Sequence, residues 1–328
     1  MFAITGITGK VGGSVARNLL AAGHQVRAVV RDAEKGRFWS AQGCDIAIAS
    51  VEDAAGLSKA FHGTEGVFLM TPPNYDPEPG FPETHKAAAA IRQAIETARP
   101  GKVVFLSTVG AHVAEPNLLN NSKVTEEMLR TTSVPVALLR AAWFMENAAW
   151  DVEAARKGVI PSFLQPLDHQ IPMVAADDIA RTAAELLNQT WTGVRVVELE
   201  GPRRYSANDI AAGFSSVLEH PVRTEAVPHD QWETLFRSQG MKNPMPRIRM
   251  IDGFNEGWID FEYGEPNSRK ERTTLEAVLR SLSTPTDIVP SSKMGLDLEQ
   301  DAFRSPSSPS LTNFEATCHE HQEQGSQG

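Results

Sequence analysis

Three glycines spaced three apart, Gly6, Gly9 and Gly12, join an apolar, β-prone run at residues 2–5 to the start of a helical pattern. Each has a physical use: Gly6 lets the chain turn sharply off a strand, Gly9 lets backbone N–H groups close on a ligand, and Gly12 lets a helix pack tightly on a sheet. A helix that begins here points its unpaired N–H groups and positive dipole end at the turn, which suits a phosphate-bearing ligand. Val11, Val15, Leu19 and Ala22 fall on one helical face, Gly23 is a natural C-cap, and residues 25–30 read as a second strand. Strand, glycine triplet, amphipathic helix and strand within about 30 residues are the signature of a dinucleotide cradle.

Further chemistry-bearing residues recur at strand ends, where open α/β sheets bind ligands. Arg31-Asp32 ends the second strand. A guanidinium there suits the 2′-phosphate of NADP and a carboxylate the 2′-OH of NAD. Arg31 comes first, with Lys10 as a second positive charge, so NADP is favoured over NAD; the alternative makes Asp32 the ribose ligand. An apolar strand at 67–70 stops at Thr71-Pro72-Pro73, which puts Thr71 and Pro72 beside the cofactor, and the proline-rich loop 74–82 forms a stiff lip. A strand at 102–106 leads into Ser107-Thr108, two hydroxyls near the nicotinamide position. Beyond a strand at 136–139, Trp143, Phe144 and Asn147 offer an aromatic and amide pocket wall, although a Trp-Phe pair is equally at home in a core.

The elements that must carry these residues alternate. Helices are expected at 33–42, 53–61, 84–98 and 122–131, and a third strand at 44–49, giving six parallel strands in the order 3-2-1-4-5-6. This is a Rossmann-type doubly wound sheet at residues 1–150. Residues 151–282 read as a smaller α/β substrate lobe interleaved with it. Helices are expected there at 177–187, 229–239 and 275–282, with strands at 194–199 and 222–227. Ser206 with Asp209, and Thr273 with Glu276, read as helix N-caps. Residues 283–328 are rich in Ser, Pro, Glu and Gln and are expected to be a disordered tail, within which Cys318, His319 and His321 are a chance grouping rather than a metal site.

The whole chain has 328 residues and a formal net charge of −10, which argues against a broad nucleic-acid or anionic-membrane surface. Two cysteines, Cys44 and Cys318, indicate no disulfide framework, and no apolar run is long enough to span a bilayer. With a core strand starting at residue 2, a cytoplasmic protein is expected. The sequon Asn188-Gln189-Thr190 is then inert.

The opening Thr5-Gly6-Ile7-Thr8-Gly9-Lys10-Val11-Gly12, the strand end Val29-Val30-Arg31-Asp32, the Ser107-Thr108 pair and the stretch 139–147 resemble the NmrA-like family, an atypical branch of the short-chain dehydrogenases that includes NADPH-dependent quinone reductases and isoflavone-type reductases. Gly253-Phe254-Asn255-Glu256-Gly257-Trp258 also resembles bacterial members. The resemblance implies that Gly6, Thr8, Gly9, Lys10 and Val11 hold the pyrophosphate, Arg31 the 2′-phosphate, and Thr71 with Ser107 the nicotinamide ribose region. It implies further that Trp143, Phe144 and Asn147 border the substrate. The Tyr-x-x-x-Lys pair of typical short-chain dehydrogenases is absent after Ser107. Where relatives place a lysine or histidine, ungapped counting lands on Ser122, with Lys123 one residue away. Lys123 and Ser107 are therefore the candidate proton donors.

Two functions compete. The first is an NAD(P)H-dependent reductase passing hydride to a small quinone-like or enone acceptor, a reaction in which positioning over the cofactor carries much of the catalysis. The second is a dinucleotide-binding redox sensor with little turnover that regulates a protein partner.

Overall fold

The computed structural model describes residues 1–284. Apart from residues 283 and 284, the segment expected to be a disordered tail, with Cys318, His319 and His321, lies outside the described residues. The first half alternates strand and helix: β1 (Phe2–Ile4), α1 (Lys10–Ala21), β2 (Val26–Val30), α2 (Ala33–Ala41), β3 (Asp45–Ile48), α3 (Ala54–Phe61), β4 (Gly66–Leu69), α4 (Pro82–Ala98), β5 (Val103–Thr108), α5 (Asn120–Leu129) and β6 (Val136–Ala141). The returning chain adds β7 (Trp143–Phe144), a 3-10 helix (Met145–Asp151), α6 (Val152–Arg156), β8 (Val159–Ser162), β9 (Met173–Val174), α7 (Ala176–Asn188) and β10 (Val194–Glu200). It continues through α8 (Ala207–Leu218), β11 (Arg223–Ala226), α9 (Trp232–Ser238), α10 (Met245–Glu256), β12 (Arg269–Lys270) and α11 (Leu275–Ser283).

The main sheet has eight parallel strands in the order β12-β10-β6-β5-β4-β1-β2-β3. This is the expected 3-2-1-4-5-6 order, extended at one edge by β10 and β12. The central strands are buried on both faces, as parallel sheets require. Phe2, Ile4, Phe68, Val104, Ala137 and Leu139 face α1 and α7, while Ala3, Val67, Leu69, Val103, Phe105 and Leu138 face α3, α4 and α5. Because β10 and β12 belong to the main sheet, residues 151–282 share its core. Their own additions are the pairs β8–β11 and β7–β9, and a cluster of Trp232, Phe236, Met241, Ile248 and Ile251 on α9, α10 and the loop between them. Among the described residues no helix is long and apolar enough to cross a membrane.

Ser206 and Asp209 form a reciprocal capping box on α8. The cap of α11 differs from expectation: Thr274, not Thr273, accepts from the N–H of Ala277. Thr273 instead donates its hydroxyl and N–H to buried Asp178. The segment expected as one helix over 229–239 begins with a 3-10 turn, His229–Gln231, and Trp232 and Phe236 are buried while Leu235 is half-buried.

One row across the sheet is polar. Ser107 on β5, Arg140 on β6 and Glu198 on β10 stand in register as neighbours. The Arg140 guanidinium, 2% exposed, donates to both oxygens of Glu126 on α5 at 2.9 and 2.8 Å and to Glu262 at 2.6 Å, with Glu198 at 3.5 Å. Burial opposes its charge, but the hydrogen bonds and fields of Glu126 and Glu262 outweigh it and raise the pKa above the ordinary arginine value. Replacing one member of such a cluster strands the others. Arg140→Met should therefore cost about 3–5 kcal/mol by leaving buried Glu198 without its cation and Glu126 with only Arg130, 3.5 Å away. Urea unfolding followed by circular dichroism measures it.

Candidate active site

The glycine turn is built as its spacing implies. Gly6 has φ +62°, and a Cβ there would meet Met70 Sδ at 2.5 Å. Thr5 locks that contact, for its Oγ1 accepts from Met70 N–H at 2.8 Å and donates to Met70 O at 3.1 Å, tying the end of β1 to the end of β4. A Cβ on Gly12 would lie 2.3 Å from the Gly6 carbonyl oxygen, so α1 can sit this close to the turn only with glycine. Gly9, the N-cap of α1 with φ −87°, is different: a Cβ there would find Gly6 O at 3.4 Å, an ordinary contact. The fold itself tolerates a side chain at 9, and any need for glycine must come from a ligand. Val11 is buried in the core, so it can offer a ligand only its backbone N–H, whereas Thr8 and Lys10 are exposed beside it. Lys10 also acts on Glu146: burial raises the Glu146 carboxyl, against the pull of the Ala176 N–H it accepts and of the Lys10 charge.

At the end of β2, Arg31 is exposed, and the Asp32 carboxylate caps α2 by accepting from Lys35 N–H at 3.0 Å. The Asp32 side chain is thus engaged by its own helix, with the Lys35 ammonium 3.9 Å away.

A cavity of about 690 Å³ opens at the carboxyl ends of β4, β5 and β6. Thr71, Pro72, Ser107 and Thr108 line one part of it, and Trp143, Phe144 and Asn147 another. Trp143 meets Phe254 of α10 edge to face, with ring centroids 5.2 Å apart. The lip loop is anchored to two separate elements: Asp76 accepts from the N–H groups of Lys242 and Asn243 just before α10, and Asn121 of α5 donates to Asn74 O at 3.4 Å.

Both candidate proton donors are already engaged. Ser107 is buried and donates its hydroxyl to Glu126 Oε1 at 2.6 Å. Its Oγ therefore meets the cavity as an acceptor. Lys123 donates from Nζ to Val113 O at 3.1 Å, and its neighbour Ser122, not Lys123, lines the cavity.

Sequence reasoning did not foresee α10. Pro244 caps it and Pro246 stands in its first turn, where proline costs little. That helix supplies Arg247, Met250, Ile251 and Phe254 to the cavity wall. The hexapeptide 253–258 has structural content: a Cβ on Gly253 would strike Ile259 and Trp258 at 2.5–2.7 Å, and Asn255 holds the wall segment by donating to Phe163 O and accepting from Gln165 N–H. Asp151 also lines the cavity and was not foreseen.

A model of the NmrA-like family matches residues 1–266, and the chain belongs to that family. An NAD(P)H azoreductase of Xenophilus azovorans is 27% identical over 259 residues, 78% of this chain and 85% of that protein. The structure resembles an NADPH-dependent quinone oxidoreductase of Escherichia coli complexed with NADPH, with TM-score 0.73 and 24% identity over 87% of this chain and 100% of the other. It likewise resembles the Citrobacter sp. triphenylmethane reductase complexed with NADP(H), with TM-score 0.72 and 21% identity over 86% of this chain and 99% of the other. At these identities the two solved structures speak for the fold.

The glycines separate fold from ligand. Gly9→Ala should lower stability by no more than about 1 kcal/mol, the scale of an N-cap change, yet weaken NADPH binding about tenfold or more. Gly12→Ala should weaken both, since α1 must move off the turn. Thermal unfolding and fluorescence titration of NADPH on each variant check this.

Proposed function

We propose that this NmrA-like chain is an NADPH-dependent reductase that delivers hydride to a small, planar, quinone-like or enone acceptor. The observation that carries the reading is the continuity of one largely apolar cavity from Thr71 and Ser107, beside the cofactor end of the sheet, to the Trp143, Phe144 and Phe254 wall. A bound reduced nicotinamide would supply the hydride there. The chain's own residues do the rest. The α1 N-terminus and Gly9 take the pyrophosphate, Lys10 adds positive charge, Ser107 accepts a hydrogen bond from the cofactor, and the aromatic wall stacks the acceptor and excludes water. The reductase names of relatives such as the azoreductase support the same reaction class.

A sensor shares the dinucleotide cradle, but an aromatic-walled acceptor cavity beside Ser107 gives it no advantage. The preference for NADPH is part of the proposal. It is supported by the exposed Arg31 and by the engagement of Asp32 as a helix cap. A cytoplasmic setting, where NADPH is replenished, and a division of labour between a cofactor half at 1–150 and an acceptor-covering part at 151–282 belong to the same reading.

Following nicotinamide absorbance with quinones, enones and azo dyes should show turnover with NADPH and at least one of these classes. Tight NADPH binding with no turnover across the panel would sink the reductase in favour of the sensor. Arg31→Asp should weaken NADPH far more than NADH, and equal losses in direct titrations would remove Arg31 from the 2′-phosphate.

A further inference from the structure

Reduction of a quinone, enone or azo bond takes up a proton as well as a hydride; of the two donors expected from sequence, Ser107 gives its one hydrogen to Glu126, and Lys123, held at the Val113 carbonyl, does not line the cavity. The segment after β7 offers another. Phe144, Asn147, Ala148, Asp151 and Ala154 line the cavity, and their spacing of three to four is one face of the 3-10 helix continuing into α6. Asp151 therefore opens onto the same space as the residues that wall the acceptor.

We propose that Asp151 is the acid that protonates the acceptor during reduction. The role rests on the reductase reading. With a quinone, the acceptor gains a hydride and its two electrons from the reduced dinucleotide, which leaves as the oxidised form. The Oδ–H bond of Asp151 breaks and an O–H bond forms on the second quinone oxygen, giving the neutral hydroquinone. The carboxylate then regains its proton from water.

The half-buried position of Asp151 raises the proton affinity of its carboxyl, so that a share of it stays protonated near neutral pH. Among the described residues no hydrogen bond or ion pair engages the Asp151 carboxyl, and burial alone pushes it from 3.8 up to about 7. Several charged groups on the elements packed around it are paired among themselves. On its own segment Glu153 pairs with Arg156, Lys157 is exposed, and Glu146 accepts from Ala176 N–H. On α8 Asp209 is held by Arg203 and Ser206, on β11 Arg223 pairs with Glu225, and α11 carries the exposed Arg280 and the half-buried Glu276. Arg247 and Tyr75 share the cavity. An acid whose pKa lies near the working pH is the most effective proton donor.

The test compares wild type with Asp151→Asn, an isosteric change, using two acceptors at saturating NADPH. A naphthoquinone consumes a proton with the hydride, whereas a triarylmethyl cation dye becomes neutral on accepting hydride alone. Wild-type kcat on the quinone should fall above about pH 7. In the variant this limb should vanish, and the ratio of quinone to dye turnover should drop about tenfold or more. An unchanged ratio, or equal loss with both acceptors, overturns the assignment. A second readout needs no cofactor. Because the folded-state carboxyl is raised above its ordinary 3.8, wild type should lose stability relative to Asp151→Asn as pH climbs through that range to about 7, then level off. A pH-independent difference in Tm would also overturn it. Wild type inactive with both acceptors, but with the pH-dependent Tm difference present, would instead show that the reductase reading has failed.

Discussion

A single buried cation organises the centre of this fold. Arg140 is almost wholly buried, so its charge must be met by the chain, and three acids from three different elements meet it: Glu126 of α5, Glu198 of β10 and Glu262 of the loop before β12. Glu198 in turn accepts from the N–H groups of Glu262 and Tyr263, fixing the loop that carries the third acid. Such a cluster is costly to desolvate, and a well-packed apolar replacement could be as stable. What it supplies is direction. Glu126 must face Arg140 across β5, and in doing so it takes the Ser107 hydroxyl as well.

That constraint reaches the cavity. The cofactor end of a Rossmann sheet needs strand ends at fixed heights, and here each is pinned by a polar contact. Thr5 ties β1 to β4, and the Ser107–Glu126–Arg140 chain ties β5 to β6 and α5. The acceptor side is built differently, from side-chain packing of α9 and α10 against the wall segment Phe163–Leu164. Segments that cover a rigid frame in this way can change without disturbing the sheet, as surface loops do.

The frame was legible in the sequence because its signals are local. Alternating runs of Val, Ile, Ala and Phe bounded by glycines located β1 to β6 and their helices to within a few residues, and the glycine spacing located the turn whose crowding at Gly6 and Gly12 the structure displays. What was not legible depended on distant contacts. Arg140 and Glu126 are ordinary charged residues until β5, β6 and α5 meet, and nothing in their spacing marks them as a pair. The α10 helix was not foreseen, and it starts at two prolines that its N-cap and first turn accommodate. Thr273 looked like a cap because it precedes a glutamate by three residues, but Asp178, nearly a hundred residues earlier, competes for it and leaves Thr274 at the helix end.

The helix α5 shows why the site differs from the typical dehydrogenase pattern. Where a tyrosine and lysine would share proton transfer, the side chains of this helix serve to position. Asn121 accepts from Thr84 at 2.6 Å and donates to Asn74, holding the lip; Lys123 reaches the Val113 carbonyl; Glu126 fixes Ser107. Only the small Ser122 and Asn121 face the cavity from it. A helix spent on positioning suits hydride transfer to an acceptor that is already electron-poor, for which alignment and exclusion of water lower the barrier more than a strong acid does. It also moves the question of protonation to the opposite wall, where the aromatic segment after β7 leaves the sheet and the cavity is apolar enough to raise the pKa of a carboxyl.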